Sequence, residues 1–158
     1  MIANDGDLNE FYDILNLMFS LNNLQNISFI VRVHPVIQLQ AKKIFNKYNN
    51  QQHKNFFTFS ENKNFDVDLK KSHIIIYRGS SLVINAIRNG LLPIFFENQN
   101  MIVNDALYRL RTKRAKVQNA RQLEKFLNNI KIKINFFNFN NYKKYTLQYF
   151  DKFNSTKL

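Results

Sequence analysis

The sequence predicts an α/β fold, a doubly wound parallel sheet followed by a C-terminal helical tail. Three observations carry that expectation. Short β-branched and aromatic runs alternate with amphipathic segments. Each apolar run stops at a small or polar residue. No internal repeat and no Pro/Gly/Ser-rich linker breaks the order, so residues 1–130 read as one domain and 131–158 as its tail.

Taken in order, Ile2 and Ala3 form the stub of a strand, followed by the turn Asn4-Asp5-Gly6-Asp7. Phe11, Ile14, Leu15, Met18 and Phe19 then recur at helical spacing. Ile27 to Val33 is a second strand that stops at His34-Pro35, and a helix runs from about Val36 to Tyr48. Phe56 to Phe59 is a third strand, ending at Ser60-Glu61-Asn62, with a short helix near Asp66 to Lys71. Asp66 and Asp68 read as helix-start charges favoured by the dipole.

The clearest unit is "SHIIIYRGSSLVINAIRNGLLPIFFE", residues 72 to 97. Ile74 to Tyr77 is too brief for a helix and unbroken enough for a strand covered on both faces. Leu82, Val83, Ala86 and Ile87 mark a helix that ends at Gly90, and Leu92 to Phe96 is the next strand. Such a β-loop-α-β unit implies parallel strands and a right-handed crossover. Further on, Asn104 to Leu110 reads as a short helix, Ala115 to Gln118 as an edge strand, and Ala120 to Ile130 as a helix. The tail should include a helix from about Tyr142 to Phe153 and is expected to pack poorly.

Composition bounds the function. With 158 residues the chain can bury a full core, and without cysteine it has neither disulfides nor thiolate metal ligands. No run is long enough to span a membrane, and the acidic start MIANDGDLNE is unlike a signal peptide, so a cytoplasmic location is expected. The net charge of +12 is scattered rather than clustered, in a sequence saturated with Asn, Lys, Ile and Phe. It suits anionic ligands or an anionic membrane surface better than nucleic acid, for which no Gly-x-x-Gly or RNP-type signature is present.

Parallel strands would bring Gly6, His34, Arg78, Ser80 and Ser81 to one carboxyl edge, where open α/β sheets bind ligands. Arg32 and His34, alternating with Val31 and Val33, are expected on the same side of their strand, with Pro35 closing it. Gly79 allows close approach to the backbone, Ser80 or Ser81 caps the helix or donates a hydroxyl, and Arg78 offers a fork of donors to phosphate. No carboxylate cluster suggests a metal site.

FIVRVHP followed by YRGSSLVINAIRNGLLPIFF resembles the C-terminal half of bacterial surface-polysaccharide glycosyltransferases of the two-domain GT-B type. That broad group includes bacterial sialyltransferases and CDP-glycerol glycerophosphotransferases. The marks that carry the resemblance are Asp5-Gly6, His34-Pro35, Ser80-Ser81 and Gly90-Leu91-Leu92-Pro93, in order, over about residues 2 to 110.

The resemblance implies a Rossmann-like single GT-B half that binds a CMP-, CDP- or UDP-linked sugar donor, with no separate cofactor. His34, Ser80 and Ser81 would hold the donor phosphate, and Gly6 would admit the nucleotide. Asn85 stands where many relatives have a ribose-binding Glu; an amide still bonds a hydroxyl, though without a charge. The site for the acceptor, a glycan or lipid-linked acceptor, and the catalytic base would come from a missing N-terminal domain or a partner chain, at the inner face of the cytoplasmic membrane. The alternatives are a catalytically silent nucleotide- or polyanion-binding module and, behind it, an RNA-binding domain. Ser60, at another strand exit, is expected to matter little to binding.

Overall fold

The computed structural model describes residues 1–22, 27–49, 56–97, 105–110, 114–130 and 139–149. Six strands form a single sheet: β1 (Ile2–Ala3), β2 (Phe29–Arg32), β3 (Phe57–Phe59), β4 (Ile74–Tyr77), β5 (Leu92–Phe96) and β6 (Ala115–Val117). Every neighbouring pair is parallel, and the spatial order is β3-β2-β1-β4-β5-β6. Among the described residues these α-helices connect or follow the strands: α1 (Leu8–Phe19), α2 (Gln38–Tyr48), α3 (Phe65–Lys70), α4 (Leu82–Arg88), α5 (Ala120–Asn128) and α6 (Phe139–Thr146). The fold is α/β and Rossmann-like. The strand order reverses at β1, so a crevice opens between β1 and β4 at the carboxyl edge.

The two faces of the sheet carry separate apolar cores, because side chains alternate along each strand. Ile2, Phe29, Val31, Ile76, Ile94 and Phe96 pack with α1, α2 and α5. Ala3, Ile75, Tyr77 and Phe95 pack with α4, α6 and Leu69 of α3. Central β4 and β5 are apolar along their whole length since helices cover both of their faces.

Caps fix where the helices begin. Asp7 accepts from the Asn9 N–H, Asn64 from Asp66 and Asn119 from Gln122. Gly90, with φ of 83°, turns the chain after α4, as its place beyond the apolar periodicity predicts. The expected helix at 36–48 opens with a 3-10 turn over Pro35–Ile37 before α2 begins. Residues 106–109 form turns where a short helix was expected, and Asn104 lies outside the described residues.

The expectation of a poorly packed tail is corrected for residues 139–149. Tyr142 and Thr146 are buried on the α4 side, and Tyr145 joins them with its hydroxyl donating to the Ala106 carbonyl. Tyr142 and Tyr145 form the cover for α4, while Phe139 and Tyr149 stay exposed. The helix also starts earlier than expected, at Phe139, and the stretch expected to reach Phe153 lies outside the described residues beyond 149.

Candidate functional site at the carboxyl edge

The turn after β1 shapes the crevice. Asn4, fully buried, accepts from the Gly6 N–H through its side-chain oxygen at 2.9 Å, an Asx-type turn that throws Gly6 to a φ of 96°. A Cβ on Gly6 would stand 3.2 Å from the His34 Cβ, and one on Gly79 would stand 3.0 Å from an Asp5 carboxylate oxygen. The Asp5-Gly6 turn therefore lies between the exits of β2 and β4. His34 and Ser80, which follow the parallel strands β2 and β4, share one edge as expected.

His34 is exposed and caps the 3-10 turn, its Nδ1 accepting from the Val36 N–H at 3.3 Å. In the neutral ring the proton then sits on Nε2, leaving a donor free for a ligand. Pro35 is the first residue of that turn, where its missing N–H costs nothing. Ser81 is exposed and makes no capping bond. Ser80 is buried and does the capping, its Oγ accepting from Leu82 N–H while its carbonyl takes Val83 and that of Ser81 takes Ile84. The first amides of α4 are thus satisfied inside the loop, so a phosphate would meet hydroxyls here rather than a row of bare N–H groups. Asn85 is half-buried, one turn along α4.

Both expected arginines are committed elsewhere. Arg78, only 1% exposed, runs beneath α1, pairs with Asp13 at 2.7 Å and lies over the Phe96 ring. Its Nε and Nη2 are buried with no hydrogen-bond partner among the described residues. Arg32 reaches the other way, to Asp68 of α3 at 2.6 Å, and also donates to the carbonyls of Asn62 and Lys63. The strand β2 ends at Arg32, so His34 lies beyond its regular alternation.

Three further polar residues near these loops, Asp68, Ser60 and Glu10, are buried. Asp68 lies in the first turn of α3, as expected of a helix-start charge, but it is buried and accepts from Ser60, Asn62 and Arg32. Burial alone would raise its carboxyl; the three donors outweigh that and hold it below the ordinary value. Ser60 is buried in the same network and so is not an idle loop residue.

Glu10, on the first turn of α1, is 7% exposed, and burial pushes its carboxyl up to about 7. The Gly79 N–H and the Arg78 charge oppose that rise, while Asp5 and Asp7 add to it. The crevice mouth consequently carries acids as well as the histidine.

Beside His34, a pocket of about 210 Å³ opens between the exits of β2 and β3. Val33 and Pro35 form apolar walls, and Gln38, Asn62 and Lys63 supply polar groups. Its loop is held in place by Arg32 and Asp68. A second groove of about 240 Å³, containing Phe96, Asp13 and Asn119, lies between α1 and the start of α5. Among the described residues no cluster of acids and histidines could hold a metal ion.

Comparison of the chain with family models, with curated proteins and with solved structures finds no match.

Proposed function

We propose that this chain is the donor-nucleotide-binding domain of a glycosyltransferase that builds a surface polysaccharide. The observation that carries the reading is the packing of Gly6 against His34 at the carboxyl edge of the sheet, with the 210 Å³ pocket opening next to it between the exits of β2 and β3. A ligand lying there has its phosphate within the province of the His34 Nε2–H and the Ser81 hydroxyl. Its base enters the pocket, which is smaller than the ~300–1,000 Å³ of drug-sized sites and suits one pyrimidine ring better than a purine. The Gln38 amide presents one donor and one acceptor to the edge of that ring. Asp5, exposed at the turn, accepts from sugar hydroxyls.

In transfer, His34 would stabilise charge developing on the leaving phosphate, and Arg78 would contribute its charge from beneath the loop without touching the ligand. A second reading, a nucleotide-binding module without transfer activity, is favoured by the same detail: Gly79 and Arg78 already serve Glu10 and Asp13, which leaves few donors for a departing anion. The acids at the mouth also disfavour a polyanion such as RNA along this edge.

Calorimetric titration with CMP, CDP and UDP beside cytidine and uridine tests the reading. Nucleotides should bind more tightly than nucleosides, and His34→Ala or Ser81→Ala should each weaken binding by about tenfold, the effect of one lost bond to a charged group. Equal affinity for nucleotide and nucleoside would return Ser80-Ser81 to the role of a helix cap. Hydrolysis or transfer of the sugar from a donor separates the enzyme from the silent module.

A further inference from the structure

We infer that the outer face of α2, together with the 3-10 turn before it, is a membrane-docking surface for anionic lipid. Ile37, Ala41 and Phe45 face the core, so the helical period puts Leu39, Lys43 and Lys47 on the opposite, outward stripe, with Val36 at its head. Val36 is 81% exposed and Leu39 80%, the two most exposed large apolar side chains of the described residues. Exposed Pro35 continues the patch.

A lone exposed leucine carries no message, but here three apolar residues crown a helix that contains three lysines and no acid. Lys42 is paired to Glu61 beside the stripe, while Lys43 and Lys47 stand on it. Lys63 lines the neighbouring pocket with Pro35 and Gln38, which adds a further cation next to the apolar crown.

The chemistry of this stripe selects a bilayer over a protein. A stable protein partner needs about 800 Å² per side with a packed apolar centre, far more than these few side chains provide. An interfacial contact needs only a shallow apolar wedge and cations at phosphate height, with lysine stems lying along the acyl boundary. No helix among the described residues is long and apolar enough to cross a membrane, so the contact lies on the surface. Because Val36 follows His34 by two residues, docking here would turn the mouth of the crevice toward the lipid. The inference does not depend on nucleotide binding.

Co-sedimentation of the full chain with vesicles tests it, using phosphatidylcholine alone and phosphatidylcholine with about a third phosphatidylglycerol. Binding is expected to the anionic vesicles only and to weaken sharply as salt is raised. Val36→Ser with Leu39→Ser should lower the partition coefficient at least about tenfold. Lys43→Gln with Lys47→Gln should lower it about 25-fold, at about fivefold per cation. These positions are exposed, so circular dichroism and thermal melting should be unchanged. Equal binding to neutral vesicles, no binding to either kind, or binding indifferent to both double variants overturns the inference.

Discussion

Glu10→Gln should stabilise the protein at neutral pH and abolish part of its pH dependence. The carboxyl rises from an ordinary 4.5 to about 7 on folding, first through burial and then through Asp5 and Asp7, against the pull of Gly79 and Arg78. Above the folded value Glu10 is ionised in both states, and the cost of burying the charge is complete. Below 4.5 it is protonated in both, and the cost vanishes. Stability at this site therefore falls as pH rises between those two values. The shift of about 2.5 units corresponds to about 3 kcal/mol at 1.36 kcal/mol per unit, which solvent at the crevice mouth reduces to about 1–3 kcal/mol.

Glutamine keeps an oxygen that accepts from the Gly79 N–H and replaces the other, which has no partner among the described residues, by an uncharged NH2. Urea unfolding of both proteins at about pH 5 and pH 8 should give a variant more stable at the higher pH by that amount and by about a quarter of it at the lower one. The melting temperature at pH 8 should rise by several degrees, at about 2–4 °C per kcal/mol for a chain of this size. Groups other than Glu10 cancel in the difference between the two proteins. A variant less stable at pH 8, or a gap that does not change with pH, would refute the buried-charge argument.

Three further outcomes follow from the packing. Asp68→Asn should cost about 3 kcal/mol by urea unfolding, since Arg32 would lose the partner of a buried pair; because the folded carboxyl lies below its ordinary value, the wild-type contribution should be present above the unfolded value of 3.8 and fade as pH falls through the lower folded one. Tyr142→Ala should cost about 3–5 kcal/mol, as for other fully buried large aromatics, and a loss under about 1 kcal/mol would mean that α6 is not docked on α4. Gly90→Ala, at a positive φ with open space around it, should cost about 1 kcal/mol, whereas Gly6→Ala adds the clash with His34 and should cost about 1–3 kcal/mol and also lower nucleotide affinity.

Most of the sheet was legible because its signals are local. Ile74 to Tyr77 is an apolar run bounded by polar residues at both ends, and the strand falls on those four residues. Helix α1 announces itself by Phe11, Ile14, Leu15 and Met18, all of which the structure buries. Elements decided by distant contacts were harder to read. Nothing near Phe139 in the sequence says that α6 will cover α4, since Tyr142 and Tyr145 acquire their partners only when the chain folds back. The turn at 106–109 is likewise set from afar: Asp105 accepts from Tyr77 and pairs with Arg114, whose guanidinium also donates to the Leu107 carbonyl. A reading of apolar period alone finds a helix there, and the ion pair holds a turn instead.

The two arginines show how more of the site could have been read. Arg78 continues the parity of Ile74 and Ile76, whose side chains enter the α1 side of the sheet, so it was bound to pass beneath α1 and meet Asp13. Arg32 continues the parity of Ile30, which faces the other side, where α3 presents Asp68. A charged residue at a strand exit keeps the strand's alternation for one more step, and its neighbours in the loop do not decide which face it serves. His34 escapes that rule because Pro35 starts a new turn and the imidazole becomes its cap. Ser81 escapes it because Ser80 has already closed the helix. The residues left with free donors at this edge are therefore those one step beyond the regular structure. On that argument His34 and Ser81, rather than the arginines beside them, are where loss of a single side chain should be felt by a bound phosphate.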